Sequence, residues 1–171
     1  VGGALLFEVL TPLAKATNVA TLPDDTIGEA LAYLSTNLRP ADEDEIYAQL
    51  GATTYEAMKS SLLASSDAWL VVDPSGLPIA LFGVAPSPVP SVGTPWLVGT
   101  PGLEADGLSF ARQTPHYVDA MHRDYEVLTN FVDARNTAAI DWLLWAGFDL
   151  YDADPRHGPE KRLFFQFTRS R

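Results

Sequence analysis

The stretch "NFVDARNTAAIDWLLWAGFDLYD", residues 130–152, decides the fold. It reads as a strand, a cap, a short helix, a glycine stop and a second strand. Asn136 is the residue type that closes a helix N-terminus, because its side-chain oxygen accepts from a free backbone N–H of the first turn. The helix then runs from Thr137 to Ala146, and Gly147 ends it. Asp141 is its one charged residue. A helix so apolar is expected to be almost wholly buried. Ile140, Leu143 and Leu144 should pack on a sheet, with at least one of Trp142 and Trp145. The group Trp142 to Trp145 reads as core or partner interface rather than a cofactor box.

Outward from this unit, "EVLTNFVDA" (126–134) is the strand that leads in, and "RLFFQFTR" (162–169) is a closing strand. Between the last two strands "DPRHGPEK" (154–161) carries turn residues and reads as a loop. Upstream, "LSFARQTPHYVDAMHRDY" (108–125) has Leu108, Ala111, Val118, Met121 and Tyr125 at helical spacing. Pro115 either kinks that helix or starts a new one capped by Thr114. "AWLVVDPSGLPIALFGVAP" (68–86) is two apolar runs around a DPSG turn, a hairpin. "GTPWLVGTP" (93–101) adds a third strand. The first third is helical, with segments over 22–38, 40–51 and 53–66. The acidic first turn of the second segment suits the positive end of a helix dipole.

No linker or repeat interrupts this order. It predicts one domain over 1–171, with a helical N-terminal third (1–65) and a sheet-rich core (66–171). The class is α/β (α+β), a mixed central sheet of about six or seven strands with helices on both faces.

The chain has 171 residues, a formal net charge of −11 and no cysteine. Disulfide and thiolate chemistry are excluded. A nucleic-acid surface is disfavoured, because phosphate contacts need clustered Lys and Arg. The charge also weighs against a polyanionic cofactor, although backbone amides at a helix N-terminus can still hold one. No apolar run reaches the roughly 20 residues of a membrane helix. "VGGALLFEVL" has no basic leader and is not read as a signal peptide.

Other constellations carry little chemistry. His116 and His122 do not share a helix face, so no metal site is expected. "HRD" (122–124) lacks the partner motifs of a kinase. "DADPRH" (152–157) reads as an exposed turn. Arg135 has two readings: a phosphate ligand, or a partner for Asp133 or Asp141.

The order of elements, with Asn136 to Ala139 as N-x-x-A and Gly147–Phe148 as G-F, resembles the acetyltransferases of the GNAT (GCN5-related N-acetyltransferase) superfamily. The segments Val118 to Met121 and Val132 to Phe148 resemble a phage-encoded branch of that fold, the branch of the T7-type internal virion assembly protein. The resemblance implies that the strand over 127–133 lies beside the one over 95–100, and that the two splay into a cleft where backbone groups meet the pantetheine arm of acetyl-CoA. Val98, Gly99, Gly102, Leu103 and Asn136 are the implied cofactor-binding residues. The family's pyrophosphate loop should follow. Here it reads "TPGLEADGLSFARQ" (100–113), with Glu104 and Asp106 and no preceding basic residue. Carboxylates there repel phosphate. Many members carry a tyrosine general acid at the position of Leu143, which cannot donate a proton.

Two functions follow. One is a phage virion component or assembly protein on a degenerate acetyltransferase fold. It would use no cofactor, bind other virion proteins or itself, and reside in the virion and host cytoplasm. The alternative is an active acetyl-CoA-dependent N-acetyltransferase, cytoplasmic, acting on a small amine or a basic peptide. Neither involves nucleic acid or membrane.

Overall fold

The fold is described from a computed structural model, over residues 14–105 and 107–171. The stretch read for a leader lies outside the described residues. Seven strands form one mixed sheet: β1 (Lys15–Asn18), β2 (Asp67–Val72), β3 (Pro78–Pro86), β4 (Val92–Gly99), β5 (Val127–Asp133), β6 (Asp149–His157) and β7 (Arg162–Ser170). Their order across the sheet is β1-β2-β3-β4-β5-β7-β6. Six helices accompany them: α1 (Asp24–Ser35), α2 (Pro40–Leu50), α3 (Thr54–Ala64), α4 (Pro101–Ala105), α5 (Gly107–Met121) and α6 (Thr137–Trp145).

The sheet separates two apolar clusters. One face packs Ala30, Leu31, Leu34 and Met58 of α1 and α3 against Leu70, Leu81 and Val98. The other packs Leu103, Phe110, Val118, Met121, Leu143 and Ala146 of α4, α5 and α6 against Val71, Ala80, Phe82, Leu128 and Val132. Neighbouring residues such as Leu70 and Val71 therefore face opposite helical layers. That accounts for the continuous apolar run in β2, whose two faces are both covered.

β4 and β5 are neighbours and parallel, and the chain between them makes a crossover through α4 and α5. They pair only at Val92–Val127 and Gly93–Leu128, then diverge. The side-chain amide of Asn130 donates to the Pro95 carbonyl across the gap at 2.9 Å. It replaces one ladder bond that the divergence removes.

The opening stretch folds as read, with one correction. Asn136 accepts from the Ala139 N–H, and Gly147 takes φ of +83°, a conformation in which a Cβ is strained. Leu143 is buried, and Trp142 stacks on Phe110 at 6.0 Å. Leu144 and Trp145, however, are 50% and 57% exposed. A helix of nine residues lying on a sheet buries one stripe, whatever the composition of its other side.

Two further corrections concern boundaries, and one open choice is decided. A strand, β1, precedes the first helix, so the N-terminal third is not purely helical. β6 continues through Asp154–His157, which shortens the expected loop to 158–161. β6 is an edge strand, and Pro155 is tolerated where no ladder partner is needed. Finally, α5 passes through Pro115 as one helix.

Candidate functional site

The divergence of β4 and β5 makes a fork whose wide end lies at Gly99 and Asp133. Backbone groups alternate in direction along a strand. The Thr100 N–H donates to the Ile79 carbonyl of β3 at 2.9 Å. Thr100 and Val98 therefore address β3, while Pro95, Leu97 and Gly99 address the fork. Asn130 occupies the Pro95 carbonyl. Both groups of Gly99 are also occupied: its N–H donates to Asp42 Oδ2 at 2.8 Å, and its carbonyl accepts from the Arg39 N–H at 2.9 Å. Leu97 is left as the β4 residue whose amide and carbonyl face the opening with no strand opposite.

The five residues proposed for cofactor binding take distinct places. Val98 is buried under α1 and α3, with its backbone toward β3. Gly99 lies in the fork against α2, and a Cβ there would sit 2.6 Å from Leu103 Cδ2. The Gly102 N–H is held by Thr100 Oγ1 at 3.1 Å, and the Leu103 N–H by the Thr100 carbonyl at 3.0 Å. Asn136 is buried at the wide end of the fork. Leu143 points into the core, away from any proton-transfer role. Of the two other tyrosines near in sequence, Tyr125 is buried with its hydroxyl on Ser66 Oγ at 2.9 Å, and Tyr151 is exposed.

α2 was read from sequence only as a helix with an acidic first turn. In the structure its carboxylates close the fork. Asp42 and Glu45, one turn apart on one helix face, reach opposite arms. Asp42 takes the Gly99 N–H of β4. Glu45 Oε2 accepts from Asn136 Nδ2 at 2.9 Å, and the Asp133 N–H at the end of β5 also favours its charged form. No local pattern marks this contact, because Glu45 and Asn136 are 91 positions apart.

The three carboxylates of the fork are not equivalent. Asp42 is buried, which raises its pKa, and Arg39 opposes the rise through a two-pronged pair at 2.9 Å. Burial also acts on Asp133, but hydrogen bonds and charge from Arg135 outweigh it and hold this carboxyl below its ordinary value. Arg135 thus pairs with Asp133, at 2.5 Å, rather than with Asp141. Among the described residues no guanidinium pairs with Glu45. Burial dominates there, the charges of Asp42 and Asp133 add to it, and the pKa is pushed up to about 7.

Fit to a coenzyme can be judged from these groups. An extended amide-bearing arm fits the fork at Leu97. The diphosphate end is less well provided: the Gly102 and Leu103 amides are spent on Thr100, and Glu104 stands exposed 3.6 Å from Arg39. A separate cavity of about 470 Å³, lined by Asp119, His122, Arg123, Arg169, Ser170 and Arg171, lies at the other end of β5. Two of its arginines already cap helix ends, Arg169 on the Ala146 carbonyl and Arg171 on the His122 carbonyl.

A single α/β domain with this sheet order, a β4–β5 fork and a crossover at its wide end has the GNAT acetyltransferase fold. Solved structures with the same architecture include a GCN5-related N-acetyltransferase from Kribbella flavida, at 16% identity over 92% of this chain and 98% of that one, TM-score 0.67. The ribosomal-protein-S18-alanine N-acetyltransferase from Escherichia coli matches at 15% identity over 91% of this chain and 94% of that one, TM-score 0.62. An acetyltransferase from Bacillus subtilis in complex with CoA matches at 8% identity over 92% and 99%, TM-score 0.63. No protein-family model and no curated protein sequence matches the chain. At such identities the likeness concerns the fold. Among the described residues no helix is long and apolar enough to cross a membrane.

Proposed function

We propose that the protein is an acetyl-CoA-dependent N-acetyltransferase, with Glu45 as the base that receives the acceptor's proton. The observation that carries this reading is a carboxylate at the wide end of the fork, held by the Asn136 amide and without a cationic partner among the described residues; its burial pushes the pKa up to about 7. A general base works best when its pKa lies near the working pH. Near neutrality Glu45 is both present as carboxylate and basic enough to take a proton from an ammonium group.

The acceptor class follows from charge. A protein of net charge −11 attracts cations, and at the opening Asp42 and Asp133 are balanced by Arg39 and Arg135 while the Glu45 charge is not. A primary amine, carried on a small molecule or a basic peptide, suits it. Leu97 would hold the pantetheine arm through its amide and carbonyl. Asn130 keeps the two arms at a set separation by tying β5 to Pro95. When bound, acetyl-CoA supplies a thioester whose thiolate, comparable to a cysteine of pKa about 8.5, can depart without obligatory protonation. Leu143 at the usual tyrosine position is compatible with that.

The virion-assembly reading drew on the likeness over 118–148 and on the altered loop. The fork, and a carboxyl at its wide end with no cationic partner among the described residues, favour the enzyme. Isothermal calorimetry with acetyl-CoA, followed by an acetyl-transfer assay on a panel of primary amines, separates the two. Micromolar binding with amine-dependent release of free thiol is expected. Absence of both would overturn the enzymatic reading.

A further inference from the structure

Asn136 makes two hydrogen bonds with the two ends of one planar amide. Its Oδ1 accepts from the Ala139 N–H at 3.3 Å, which caps α6. Its Nδ2 donates to Glu45 Oε2 at 2.9 Å. Only the first bond is needed for capping. Aspartate, serine or threonine would cap the helix comparably. What asparagine adds is a donor, and the helix terminus fixes where that donor points. It is 5% exposed, so the amide cannot swing out to water without opening the fork.

The donor lies at hydrogen-bond distance from Glu45, whose charge it favours more than any other group does; it also favours the Asp42 charge, but there Arg39 and the Gly99 N–H count for more. Groups around Glu45 come from three elements. Asp42 faces it from its own helix, with Arg39 bound to Asp42. Asp133 faces it from the end of β5, with Arg135 bound to Asp133. Asn136 stands at the start of α6. Both arginines are committed to the other carboxylates, so neutral N–H donors, the Asn136 amide first and the Asp133 backbone second, are what remain to hold the Glu45 charge. A fourth carboxylate at position 136 would repel it.

We infer that Asn136 is a positioning residue for Glu45, using the N-terminus of α6 as a fixed bracket to orient the carboxylate and to favour its ionised form. The inference rests on the proposed acetyl transfer for its functional meaning, but its physical content concerns the chain alone. It differs from a role in holding the coenzyme, because the Asn136 donor is directed at α2 rather than into free space.

The test is a carboxyl titration by carbon-13 NMR on the full chain, without cofactor, with the Glu45 signal assigned by its loss in Glu45→Gln. Asn136→Asp keeps the cap and replaces the donor by a like charge. Asn136→Ser keeps the cap with a side chain too short to reach Glu45. The Glu45 midpoint should rise by about one pH unit or more in Asn136→Asp, and by less in Asn136→Ser. In the transfer assay, the acid limb of kcat/KM should move to higher pH by the same amount. A midpoint unchanged in both variants overturns the inference, even if activity falls, because a structural role lowers the rate without moving the titration. If wild type transfers no acetyl group at any pH, the enzymatic reading fails, and the NMR titration still decides the role of Asn136.

Discussion

Asp42 and Glu45 stand three residues apart on α2, and each closes a different arm of the β4–β5 fork. Asp42 takes the Gly99 N–H, while Glu45 takes the Asn136 amide. Their difference lies in one partner. Arg39 clamps Asp42, and Glu45 has a neutral amide in that place. A helix face, two strand ends and one missing guanidinium together produce a carboxyl poised near neutrality.

That poise predicts a pH profile. Glu45 must be ionised to accept a proton, so kcat/KM should climb through a midpoint near pH 7 as pH rises. Glu45→Gln should lower kcat/KM by roughly 10²- to 10⁴-fold and abolish this limb. A steady-state profile from pH 5.5 to 9 checks both.

The same group predicts a stability difference of defined sign. Its folded pKa, about 7, lies above its ordinary value of 4.5. Between those values the folded protein binds a proton that the unfolded chain has released, so ionisation destabilises the fold as pH rises through this window. Glu45→Gln should match wild type near pH 4.5 and be the more stable protein at pH 8. Urea unfolding at the two pH values measures the gap.

Arg39 and Asp42 should respond unequally to removal. Arg39→Leu leaves Asp42, 5% exposed, as an uncompensated buried charge, and should cost about 3 to 5 kcal/mol. Asp42→Asn keeps an oxygen for the Gly99 N–H and leaves Arg39 with Glu104 as a remaining carboxylate, so its cost should be the smaller of the two. Chemical denaturation of the two variants tests the ranking.

Leu143→Ala removes a side chain buried among the residues beneath α6. It should cost about 2 to 5 kcal/mol. Trp145→Ala, at a position 57% exposed, should cost below about 1 kcal/mol. Equal losses at the two positions would contradict the stripe described for this helix.

Glu104→Gln releases Arg39 from one of its two acidic contacts and removes a repulsive charge from the start of the crossover. Arg39 is largely buried, but Glu104 is 62% exposed and its charge is screened by solvent, so the effect is small. Acetyl-CoA should bind roughly two- to five-fold more tightly, and calorimetry of the variant beside wild type reads the change.

Residues 130–152 carry their fold locally. Cap, helix, glycine stop and flanking strands are all nearest-neighbour chemistry: the cap bond of Asn136 spans three residues, and Gly147 needs only its own φ. The adjacency of β4 and β5 is a long-range pairing, which the sequence implies only through the resemblance in its order of elements. The exposure of Leu144 and Trp145 was decided by tertiary packing, because a sheet can cover only one side of a helix. So was the site. Gly99, Asp42, Glu45 and Asn136 come from separated segments, and no spacing rule links them. Which strand residue faces the fork depends on register, which put Leu97 rather than Val98 there. The pKa of Glu45 is set by burial and by two arginines bound to its neighbours, quantities that exist only once the chain has folded.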